Sequence, residues 1–234
     1  MNQLKFNLGY NDEQSSRNVV GCIRVQNLYS VSSRDSRFQV VFENLNEGSL
    51  VHLDVADRPE GWGRVSELPV SLELSPNPYG VGYVGSNLKV LSGYSSFEHL
   101  SYKYIPVRDV LAKIQEWIDS CPYAPLSAFM YRVLGNPGVG GLFFSVPASN
   151  QRHFSEPAGL AKHSLEVAQM VYSSTLCFAE YERWLAAAVG LLHEVGRVRM
   201  STADNTPKAT AALVSCEGLN FEVLSPALQI LEAE

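Results

Sequence analysis

The hydrophobic period of this chain changes once, at Pro106, and that change limits the folds open to it. Ahead of the proline, short apolar runs rich in β-branched residues occur at Asn18–Val25, Phe38–Phe42, Leu50–Val55, Val70–Leu74, Tyr79–Val84 and Leu88–Leu91. Gly, Pro, Asn, Asp and Ser punctuate them about every ten residues, the spacing of strands joined by tight turns. So many short strands in so little chain predict a small antiparallel β-barrel or sandwich. A five-stranded OB-like barrel fits, and an SH3-like barrel would read the same. Beyond Pro106 the apolar residues recur at helical spacing. Val110, Ile114 and Trp117 or Ile118 mark a helix over Val107–Ser120. Further helices are predicted over Leu126–Leu134, Gly159–Leu176, Glu180–Val195, Pro207–Val214 and Phe221–Glu232. The class is therefore α+β: a barrel over residues 1–105, a hinge near 103–107, and an all-α domain over 106–234.

Composition sets the outer limits. Hydrophobic residues make up 46% and charged residues 18%, which supports packed cores and excludes a mainly disordered chain. No apolar run approaches the roughly 18 residues of a membrane span, and the polar start lacks a leader's apolar stretch, so a cytoplasmic protein without membrane contact is expected. A net charge of −6 excludes a wholesale basic surface for nucleic acid. It leaves room for one local strip, Arg24, Arg34 and Arg37, which with Tyr29, Phe38 and Phe42 nearby could follow a single strand. Strict alternation through Phe38–Phe42 places both phenylalanines in the barrel core instead. The four cysteines have no zinc-knuckle spacing and read as reduced thiols, with Cys177, just past an apolar helix, expected to be buried. Gly138–Gly141 lacks the Lys-Ser/Thr ending and preceding strand of a phosphate loop, and predicts a turn into a short helix.

The chemistry lies with three of the five histidines, His153, His163 and His193; His52 falls in an alternating strand and His99 in a polar loop. On a helix His163 shares a face with Leu160, Val167 and Met170, which predicts an inward-facing imidazole. His193 ends an apolar helix whose corresponding face, Ala186, Val189 and Gly190, is small enough to admit a neighbouring helix closely. Two imidazoles on consecutive helices, one followed directly by Glu194, could converge on a divalent metal; Mn, Fe, Zn and Ni suit that donor set.

The segments Gly159-Leu-Ala-Lys-His-Ser-Leu-Glu-Val-Ala168 and Leu191-Leu-His-Glu-Val-Gly-Arg197 resemble the motifs of the HD-domain metal-dependent phosphohydrolases. They are similar to the branch with an OB fold ahead of the HD domain, which includes bacterial exoribonucleases and, with HD regions, some conjugative relaxases. The resemblance implies that His163 and His193 are metal ligands. It places Glu194 at the Asp of the HD pair, as ligand or as base, and Arg197 at the usual Lys. His153 matches the second of an upstream histidine pair whose first place holds Arg152. Ser215-Cys-Glu-Gly-Leu-Asn-Phe-Glu-Val-Leu-Ser-Pro-Ala-Leu228 resembles a later segment of the relaxase branch, with Cys216 at a histidine place, so His153 and Cys216 could add to the site. The family's distal Asp has no counterpart, since Asp204 falls too early; a chain cut short would account for that but not for Glu194 or Cys216.

Two functions follow as expectations. One is a metal-dependent phosphodiesterase acting on nucleic acid through an altered metal site. The other is a metal-free, inactive HD scaffold that binds single-stranded nucleic acid or a protein partner. Phe221, Leu224, Leu228 and Leu231 fall on one helical face that the domain core or a second subunit of a homodimer would cover, and Pro226 should kink or split that helix.

Overall fold

Alternation becomes a barrel because every second side chain of each strand has one interior to enter. The computed structural model describes residues 16–24, 37–46, 48–54, 68–91, 93–101, 103, 105–149, 153–202, 204 and 206–233. Its strands are β1 (Arg17–Arg24), β2 (Arg37–Glu43), β3 (Gly48–Asp54), β4 (Leu68–Pro76) and β5 (Tyr83–Val90). They close in the order β1-β2-β3-β5-β4, with β4 returning to β1 through the register Val20↔Ser71. Ile23, Phe42, Leu53, Leu72 and Leu74 fill the interior with three valines. The expectation of an antiparallel barrel holds at four seams; β3 and β5 run parallel, His52 opposite Val84. The two runs read as separate strands at Tyr79–Val84 and Leu88–Leu91 are one strand, β5, because Asn77–Gly82 forms the turn from β4, with Asn77 N–H on Gly82 O at 3.0 Å.

The helical half contains α1 (Arg108–Asp119), α2 (Ala124–Leu134), α3 (Pro137–Phe143), α4 (Gly159–Ser174), α5 (Glu180–Leu192), a 3-10 turn (Val195–Arg199), α6 (Thr210–Leu213) and α7 (Cys216–Ala233). The Gly-rich run, expected as a turn into a short helix, lies within the short helix α3 itself. Asn136 caps that helix, its Oδ1 accepting from Gly138 N–H at 2.9 Å, and Pro137 fills the first helical position, where no N–H is needed. Ser215 caps α7 in the same way through Gly218 N–H. Pro226 does not split α7, which continues as one helix past it. The helical core takes Phe97, Leu100 and Ile105 from the segment ahead of α1, so that segment packs with the helices.

The barrel and the helices meet through buried polar contacts as well as apolar ones. Leu45, in the turn after β2, packs against the helical core. Glu43 at the end of β2 is buried and accepts a short hydrogen bond from Ser101 Oγ. His99, expected in a polar loop, is buried; its ring stacks on Tyr94 with centroids 4.3 Å apart, and Nε2 donates to Gly135 O at 2.5 Å. Burial pushes the His99 imidazole below the usual histidine range, the hydrogen bond to Gly135 working in the opposite sense. Cys177 is exposed, in the turn between α4 and α5, because α4 ends before it at Ser174.

Candidate metal centre

α4 and α5 form a hairpin, and a glycine sets how closely they approach. A Cβ on Gly190 would stand 3.3 Å from Ala168 Cα and 3.4 Å from Val167 Cγ1, so a larger residue would push the helices apart. The N-terminus of α4 has no side-chain cap. The chain before it satisfies its amides instead: Ala158 N–H donates to Ser145 O at 3.0 Å and Leu160 N–H to Val146 O at 3.1 Å. Phe154 and Ala158 both take φ of 60°, a region costly for side chains other than glycine, at the turn that leads into the His163 helix. The Phe154 ring rests on that of His163, centroids 5.4 Å apart.

His163 is not on the buried stripe of α4. That stripe runs through Leu160, Ala161, Ser164, Leu165 and Ala168, while Met170 is 67% exposed. The inward imidazole expected from sequence is instead at the rim of the hairpin, with 29% of its side chain exposed. The helical period identifies a shared face, but where the core lies relative to that face depends on the partner helices.

α5 stops at Leu192, earlier than the sequence pattern implies, and His193 is its C-cap. Glu194 falls at the break between α5 and the 3-10 turn. His193 Nδ1 lies 2.7 Å from Gly190 O, an acceptor only, so Nδ1 donates and Nε2 is the ring nitrogen left to face a metal. A ligand histidine characteristically has this arrangement, its second nitrogen oriented by a carbonyl. The rings of His163 and His193 are 5.2 Å apart by centroid. His163 Nε2 is 3.9 Å from Glu194 Oε2, a gap that two metal bonds of roughly 2.1 Å could span. One donor atom from each of His163, His193 and Glu194 lies within 4.8 Å of the others, the one such group of metal-binding side chains among the described residues.

Arg197 is drawn into the same site. Its outer nitrogen donates to Glu194 Oε1 at 3.3 Å and its Nε lies 3.1 Å from Oε2 without the geometry of a hydrogen bond, so one hydrogen bond and an ion pair hold the carboxylate. Cys216 and His153 are outside the three-residue group. The Cys216 Sγ contacts the main-chain O of Glu194 at 3.9 Å, and burial pushes its thiol up, with Arg197 opposing, so it is protonated near neutrality. His153 is in an exposed turn, and Asp204 accepts hydrogen bonds from the nearby Thr202 and Thr206. Arg152 falls outside the described residues.

Sequence reasoning missed Asn220. Its Nδ2 donates to His193 O at 2.5 Å and its Oδ1 accepts from Gly196 N–H at 2.6 Å, so one amide bridges the break that carries Glu194. Gly196 makes that bridge possible: a Cβ there would fall 2.5 Å from Cys216 O and 2.7 Å from Asn220 N. The available signal was a second polar residue, one turn after Glu217, on a face of α7 that is apolar from there on.

The barrel arginines are differently placed. Arg24 is turned against the barrel, its side chain 13% exposed and its outer nitrogen 3.6 Å from Glu43 Oε2. Arg34 and Tyr29 lie outside the described residues, as do the side chains of Arg37 and Phe38. Phe42 is in the core. No helix among the described residues is long and apolar enough to cross a membrane.

Comparison with known protein families, with curated proteins and with solved structures finds no match for the chain.

Proposed function

We propose that the protein is an HD-type phosphohydrolase whose divalent metal is held by His163, His193 and Glu194. The observation that carries this reading is the convergence within 4.8 Å of those three donors, from α4, from the end of α5 and from the break after it. Two neutral imidazoles and a carboxylate fit Mn, Fe, Zn or Ni. A bound ion would supply a Lewis acid for a phosphate oxygen and lower the pKa of an attacking water. The chain's own contribution is positioning. Gly190 O fixes the His193 ring, Arg197 fixes the carboxylate, and Asn220 fixes the backbone between them. The strand order of the barrel is consistent with an OB-type barrel ahead of an HD domain and supports the same reading.

The test is metal analysis of purified protein together with hydrolysis of a generic aryl phosphodiester under added Mn. Metal near one ion per chain, with hydrolysis abolished by His193→Ala, is the expected result. A folded, metal-free, inactive protein would overturn it in favour of an inactive scaffold that binds a partner. A second reading, single-stranded nucleic acid as the barrel's ligand, is favoured by Tyr79, which is 82% exposed at the β4–β5 turn and offers a base a stacking surface. Binding of an oligonucleotide that weakens with salt would support it; no binding even at low salt would remove it.

A further inference from the structure

The two imidazoles of the centre are held in different ways. The His193 ring has a carbonyl for its second nitrogen, Gly190 O at 2.7 Å. The His163 ring makes no hydrogen bond to any of the described residues. Its neighbours are two rings, Phe154 at 5.4 Å and His193 at 5.2 Å by centroid, and the Glu194 carboxylate, 3.9 Å from Nε2. A ligand histidine is ordinarily oriented by a hydrogen bond to its other nitrogen. Without one, a side chain 29% exposed is free to turn unless packing stops it.

The turn before α4 supplies that packing. Of residues 153–157 only Phe154 is half-buried; the others are exposed. Phe154 takes φ of 60°, which glycine adopts without cost and a residue with a Cβ does not. Strain of this kind persists only where the surroundings over-determine it. Here they do. Phe154 O accepts from Ala148 N–H at 2.9 Å, and a Cβ on Gly159 would overlap that same carbonyl. The backbone of this residue is therefore fixed from two sides in a conformation that its side chain opposes. What the phenylalanine delivers in return is a ring against His163.

We propose that Phe154 is a positioning residue of the metal centre. Its ring takes the place of the missing hydrogen bond and keeps His163 Nε2 directed at Glu194. The proposal rests on the metal assignment made above and is independent of the reaction the metal serves.

Titration of the full chain with Co, alongside urea unfolding, tests it. Phe154→Gly removes the ring and the strain together, so the urea midpoint should change little while Co affinity falls about 10–100-fold. Phe154→Tyr keeps the ring and should retain wild-type affinity. Ala158→Gly relieves the same φ of 60° in the same turn but leaves the ring, and should also retain it. Phe154→Leu keeps apolar bulk without a flat face; it should lose affinity too, and it serves if glycine unsettles the fold. In the metal-free protein the ring current of Phe154 should displace the His163 ring-proton resonances in wild type and Phe154→Tyr, and not in Phe154→Gly. Phe154→Gly that binds Co as tightly as wild type, or leaves the His163 resonances where they were, overturns the proposal alone. Ala158→Gly losing as much affinity as Phe154→Gly overturns it in favour of the backbone of the turn. Wild-type protein that binds no metal removes the metal assignment, and the proposal with it.

Discussion

The side-chain amide of Asn220 donates to the main-chain carbonyl of His193 over 2.5 Å. Through this bond α7 fixes the end of α5, and with its second bond, to Gly196, it sets where Glu194 leaves the backbone. Asn220→Ala removes both hydrogen bonds. We expect a loss of about 1–3 kcal/mol in unfolding free energy. Metal affinity should fall about 10–100-fold, as for other residues that orient ligands. Urea unfolding and titration with Mn or Co measure the two effects, and a variant that loses stability while keeping full metal affinity would limit Asn220 to a structural role.

Gly196→Ala tests the same junction by crowding it. The added methyl meets backbone atoms of α7, which cannot rotate away as a side chain can. The expected cost is about 1–3 kcal/mol, the range for overpacking, with the Asn220 bridge stretched. Thermal unfolding should show it. A neutral result would mean that α7 can move away freely.

Arg24 separates two roles for one guanidinium. If it serves the buried Glu43 where the barrel meets the helices, Arg24→Gln leaves that carboxylate short of a cation and destabilises the fold by about 1–3 kcal/mol. Oligonucleotide binding, measured by anisotropy on the folded variant, should then change little. A stable variant with lost binding would restore Arg24 to a nucleic-acid surface.

His99 should make stability depend on pH. Its folded pKa lies below the unfolded value of roughly 6.5, so between the two the unfolded chain binds more protons. Its contribution is therefore complete above pH of about 6.5 and is lost as pH falls through the folded value. His99→Gln retains an amide donor for Gly135 and cannot titrate. The difference between wild type and variant in urea-derived stability should shrink from pH 8 to pH 5, and a flat difference would contradict the burial of this ring.

Thiol labelling checks the placement of the cysteines. Cys177 is exposed, whereas Cys22 and Cys121 are buried. Under native conditions a maleimide should modify Cys177 first and leave those two until the protein unfolds. Peptide mapping by mass spectrometry reads the order.

Local patterns of the sequence determined the element types. Alternating Val70, Leu72 and Leu74 have one way to be half buried, as a strand, and Val110, Ile114 and Ile118 have one way to share a face, as a helix. The pairing of His163 with His193 was legible for the same reason, since small residues before a helical histidine mark a close helix contact. Only the tertiary structure decided the parallel β3–β5 seam, the rim position of His163, the burial of Arg24 beside Glu43 and the open face of α7 at Phe221 and Leu228. Each depends on which elements pack around a residue, and helical or strand period carries no information about that. Asn220 shows this most directly: it follows His193 by 27 residues, and the two meet only because Gly196 lets α7 approach the end of α5.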